Sequence, residues 1–146
     1  MNKKLERLET ALAEYPRYEV SFKKFRETFV KDFHNNEFLP GISIDESDVT
    51  APILHFAGQT FIVRMHVYAV DEAPIGVIAV YRPRRIGDEE LIWHSFFDSR
   101  GNVRQVPTSQ NSERQLWEAS FVKILLQEVA TRHFGDLEKR FRPGLL

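Results

Sequence analysis

The chain contains no cysteine, which rules out a disulfide framework, a thiol nucleophile and a thiolate metal site. It has no uninterrupted apolar run near 18 residues, so no transmembrane helix is expected. The opening MNKKLERLETALAEY mixes charged with apolar residues from the start, unlike the continuous apolar segment of a secretory signal. An excess of one charge is missing too. Lys and Arg number 20 against 21 Asp and Glu, a formal net charge of −1. No long-range field therefore draws in nucleic acid or an anionic membrane. A soluble, cytoplasmic protein is the expectation.

Signatures of common chemistries are also absent. There is no G-x-x-x-x-G-K-[ST] loop, no G-x-G-x-x-G and no G-x-S-x-G elbow, so nucleotide binding of those kinds and standard esterase chemistry are unsupported. The histidines at 34, 55, 66, 94 and 133 form no H-x-H or H-E-x-x-H pattern, and no metal or cofactor is expected. Asp45, Glu46 and Asp48 lack the glycine and closing Glu of a calcium loop and read as a solvated turn.

Aromatic residues are abundant, with 12 Phe, 4 Tyr and 2 Trp. Each buries about 150–250 Å², so the core should be rich in rings. The length of 146 residues suits a single domain spanning 1–146, with a short basic tail at 136–146.

Leu5, Leu8, Leu12 and Tyr15 recur at helical spacing, and Tyr18, Phe22, Phe25, Phe29 and Phe33 continue the period beyond Pro16. This predicts an N-terminal helix pair or one helix kinked at the proline. HNNEFLPG, residues 34 to 41, ends it. From Ile42 the period becomes two. GISID, APILHFAG, QTFIVRMHVYAV, GVIAVYR, LIWHSFF and NVRQV predict an antiparallel meander of about five or six strands joined by short turns. GVIAVYR, apolar on both sides, belongs in the interior of the sheet, and DSRGN has the Asp and Gly of a type I turn. SQNSERQLWEASFVKILLQEVATRHFG predicts a long C-terminal helix, with Ser112 and Gln115 as a capping box and Gly135 as the terminal glycine. The expected class is α+β, the long helix packing on one sheet face.

The candidate functional residues lie on the sheet and at the start of that helix. Arg64, His66 and Tyr68 share one face of one strand, and His94 joins them if the register allows. Histidine and tyrosine there would form a polar cluster with Tyr81 suited to ligand recognition. Trp93, Trp117 and Glu118 are further pocket candidates, Glu118 because it falls among the apolar residues of its helix. Arg82, Arg84 and Arg85 cluster around Pro83, with Asp88, Glu89 and Glu90 returning opposite. This reads as a hairpin tip balancing its own charge, with partner contact as its functional alternative. Phosphate or nucleic-acid contact would need these arginines to converge with Lys139, Arg140 and Arg142.

No catalytic residue can be assigned. The expected function is a non-catalytic protein-binding or assembly module, its exposed sheet face meeting another protein or a second copy as in a homodimer. The alternative is a curved-sheet pocket for a small apolar ligand, with or without catalysis, closed by the C-terminal helix.

Overall fold

The computed structural model describes residues 3–34, 41–45, 51–70, 73–85, 87–105 and 114–141. The N-terminal segment is one helix, α1 (Lys3–His34), with Pro16 inside it. The proline withdraws one N–H from the helical ladder, at an exposed position where water can take the carbonyl that loses its partner. Tyr18, Phe22, Phe25 and Phe29 form its buried stripe. Leu5, Leu8, Leu12 and Tyr15 continue that stripe in sequence, yet are 39–65% exposed. Tyr18 explains the change. Its ring packs edge-on against Phe97 and its hydroxyl donates to the Pro74 carbonyl, beside the end of a hairpin. The turns before it have little of the sheet beneath them.

Six strands follow: β1 (Ser43–Asp45), β2 (Ile53–Phe56), β3 (Gln59–Val70), β4 (Ala73–Arg85), β5 (Asp88–Phe97) and β6 (Val103–Arg104). They pair antiparallel in chain order as one sheet curled into a half-barrel. β4 is central and buried along most of its length, as its two apolar faces required. The β2–β3 turn is Ala57–Gly58, both with positive φ, the conformation that matches hairpin twist. The Asp98 carbonyl accepts the Gly101 N–H at 2.9 Å, closing the turn foreseen at DSRGN. Gly101 sits at φ +83°, where a Cβ would strike the Trp117 ring.

Alternation divides the sheet. Phe61, Val63, Met65 and Val67 on β3 lie opposite or beside Ile78, Val80 and Gly76 on β4, and these face Trp93 and Phe97 of β5. Both helices cover this face. The arginine-rich hairpin is longer and tighter than the sequence suggested. β4 runs to Arg85 and β5 starts at Asp88, so the charged residues stand opposite one another on the ladder. Arg82 and Arg84 each reach Glu90 at 2.7 Å, the self-neutralisation expected of them. The location of Arg82 corrects the reading of a solvated tip: it follows Ile78 and Val80 onto the helix-covered face and is buried.

Helix α2 (Ala119–Phe141) overturns two boundary expectations. It starts later than the capping box would place it, because Gln115 is held in a β-bridge with Asn102 and Leu116 N–H is bonded to Gly101. Ser112 lies outside the described residues. Gly135 sits within the helix, which runs on to Phe141 through the first part of the basic tail, since contacts on the sheet and a basic last turn outweigh one glycine. No described helix is long and apolar enough to cross a membrane.

Two substitutions test this packing. A Cβ at Gly76 would press on the Phe97 ring, so Gly76→Ala should lower stability by about 1–3 kcal/mol, and by less in a Phe97→Leu background, as read from urea midpoints. Ala57→Asn should do the opposite. It relieves a non-glycine residue at φ 51° and should raise stability by up to about 1 kcal/mol.

Candidate functional site

The other face of the sheet carries no described helix or strand. Register sets its rows: Arg64, Ala79 and His94 form one, and His66, Val77 and Phe96 the next. Tyr68 pairs with Ile75, and Tyr81 lies between Ile62 and Leu91. Ile75, Val77 and Ala79 are at most 9% exposed although they lie outside the core cluster. They form an apolar strip along β4 that leaves little surface to solvent. Tyr68 and Leu91 stand out into solvent.

The expected polar cluster is therefore partly assembled. His66 Nε2 and Tyr81 Oη are hydrogen-bonded at 2.8 Å, and the two rings meet edge to face. Burial, then Glu89, holds the Tyr81 phenol above its ordinary pKa. Arg64 bonds Glu89 at 2.7 Å. His94 shares the face but sits two strands away, roughly 10 Å by strand spacing, with its ring against Phe96.

The remaining candidates do not join this face. Trp93 is in the core against Phe121. Trp117 packs beneath Lys24, 4.7 Å from its ring centroid, and over Gly101. Glu118 caps α2: its carbonyl accepts the N–H groups of Phe121 and Val122, and a carboxylate there suits the helix dipole. The space between α2 and the sheet is filled by Phe61, Trp93, Phe121, Leu125 and Val129. Arg84 is half exposed beside Glu90, and Arg85 pairs with Asp88 across the exposed turn. Arg82 is inside.

Two features escaped sequence reasoning. One is the polar cluster around Arg82. Its guanidinium donates to His133 Nδ1 at 2.9 Å, to Glu90 at 2.7 Å and to Asp136 at 3.3 Å, while Phe56 and Phe61 meet the His133 ring edge-on. The signal was present, since His133 follows Val129 by four residues on the buried stripe of α2. The other is a cleft of about 800 Å³ between α1 and β3, lined by Tyr15, Glu19, Val20, Lys23, Arg26 and Arg64 among others. It combines side chains far apart in sequence, which no spacing rule connects.

Burial first, and the Arg82 charge second, hold His133 below its ordinary value, while Asp136 pulls the other way. Glu90 is held low mainly by its hydrogen bond from Arg82. With its Nδ1 accepting from arginine, neutral His133 links α2 to β4 as a structural pair. Buried Tyr18 is pushed up to about 12 by desolvation, with Glu14 and Asp98 adding to it, so its hydroxyl stays a donor.

Compared with protein-family models, curated proteins and solved structures, the chain matches none. Its class is that of an α+β protein built on a six-stranded antiparallel meander between two helices.

The cluster has a pH signature. Unfolded His133 takes up its proton near 6.5 and the folded residue only at lower pH, so stability should fall as pH drops below about 6.5 and level off beneath the folded pKa. The Glu90 contribution is present above about 4.5 and is lost as pH falls through its lower folded value. His133→Gln, whose amide oxygen can accept from Arg82, should flatten the thermal-stability profile between about pH 7 and 5 and leave the acid limb in place. An unchanged slope in that window would assign it to other groups.

Proposed function

We propose that this chain is a non-catalytic protein-binding or assembly module, and that the sheet face covered by no described helix or strand is its contact surface. The exposed side chains of Tyr68 and Leu91, with those of His66 and His94 on the same face, carry this reading. Aromatic residues are enriched in contact surfaces, and tyrosine and arginine are favoured anchors in them. The near-zero net charge suits a short-range, shape-dependent contact with another protein or a second copy of this chain. Hydrogen bonds on the face join His66 to Tyr81, Arg64 to Glu89 and His55 to Thr60, leaving a preorganised surface.

A photoreactive benzoylphenylalanine placed at Leu91, exposed on β5, tests the proposal when the chain is produced in its own host cells. The expected result is a discrete crosslinked product that is absent when the same group replaces Gln127, exposed on α2. A product of twice the chain mass would make the partner a second copy. Equal labelling from both positions, or none, would overturn the reading.

A further inference from the structure

The sheet has two long strand stretches without an outer neighbour among the described residues, and they differ in kind. β6 pairs only with Phe96 and Phe97, which leaves the earlier part of β5 open. That edge is guarded. It carries Asp88, Glu89 and Glu90, a bulge follows at the Tyr81–Leu91 pair, and Arg132 of α2 donates to the Ile92 carbonyl at 2.9 Å. Charges, bulges and covering side chains are the usual protections of a strand edge.

Among the described residues, the open stretch of β3 has none of them beyond Arg64. β2 pairs with β3 only as far as Ile62, and the Val63 N–H makes one more bond to the Pro52 carbonyl at 2.9 Å. Strand alternation then turns the N–H and C=O groups of Met65, Val67 and Ala69 the same way, outward from β4. The β3–β4 ladder continues without a register shift to Val70, and the stretch contains no proline. It is a regular, largely apolar edge with its backbone groups in position to pair.

The 800 Å³ cleft opens at this edge, walled by Arg64, Met65 and His66 on one side and by α1 on the other. Among the described residues, its charged lining is three cations, Lys23, Arg26 and Arg64, against the single carboxylate of Glu19. Arg64 uses one guanidinium nitrogen on Glu89, while its Nε is shut off from solvent without an acceptor. An unmet buried donor is costly to keep. A strand edge beside a helix, with cations along the groove, fits the strand-addition mode of peptide recognition.

We propose that the free edge of β3 and the adjoining cleft take an extended acidic peptide segment of a partner protein as an added strand. This rests on the reading of the chain as a protein-binding module and assigns the partner a chemistry. Backbone pairing with Met65, Val67 and Ala69 supplies the strand contacts. Lys23 and Arg26, one helical turn apart on α1, select carboxylates over lysines.

The probe is a phage-displayed library of random nine-residue peptides selected on the full chain, with affinities of the selected peptides measured by fluorescence anisotropy. The expected winners alternate apolar residues with Asp or Glu. Val67→Pro removes an outward N–H while leaving the β3–β4 bonds in place, and should abolish their binding. Lys23→Glu with Arg26→Glu, both on the helix surface, should weaken it at least tenfold. If Val67→Pro melts too low to use, the charge-reversal variant decides alone. Selection of neutral or basic peptides, no selection above background, or binding that survives the variants would overturn the proposal. So would a dimer of the free protein that Val67→Pro converts to monomer, since the occupant would then be a second copy. Binding kept in Val67→Pro but lost in Leu91→Glu would sink the edge site and leave the open face standing.

Discussion

Phe25 of α1, Phe121 of α2 and Trp93 of β5 touch in series, with ring centroids 6.1 Å apart at each step, and this run of rings joins both helices to the sheet. A single-layer sheet must bury one face, and here the covering layer is almost wholly aromatic on the α1 side. Phe22 and Phe29 flank Phe25, and Tyr18 locks the helix over the hairpin end through Phe97 and the Pro74 carbonyl. Each such ring pair adds about 0.5–1.5 kcal/mol beyond its area burial. The orientation of α1 follows from these contacts, and with it the position of the cleft and of the bare apolar turns at its start.

The same covering decides which charges are structural. Arg82 falls on the helix side of β4 by strict alternation, so burial forces it to find three partners there. Glu90, His133 and Asp136 meet that demand from β5 and α2. Arg64 falls on the opposite side and keeps an incompletely used guanidinium beside open space. Two arginines in one sheet thus have opposite fates, one tying the fold together and the other standing at the cleft beside α1.

The order of elements, the six-strand meander and the interior place of β4 were legible from periodicity, because alternation and helical spacing are local and register repeats them faithfully. The turn at Asp98 and the charge balance of the arginine hairpin were legible for the same reason. The ends of α2 were not. Gln115 bridges to Asn102 and the Leu116 N–H donates to the Gly101 carbonyl, and Gly135 is carried by contacts on both sides of it. Tertiary bonds outweighed the capping signals. Nor was the bareness of Leu5, Leu8 and Leu12 legible, since an apolar stripe looks the same whether or not a partner lies beneath it.

The sequence by itself determined an α+β chain with an aromatic core, near-neutral charge and one polar, histidine-bearing strand face. Those properties depend on residue type and spacing alone. Only the tertiary structure decided that His66 meets Tyr81 while His94 does not, that Arg82 is buried while Arg64 lines the cleft, and that, among the described residues, β3 keeps an unguarded edge beside the cations of α1. Each of these depends on which strand ends where and on which face the helices cover, and such long-range packing has no local signature.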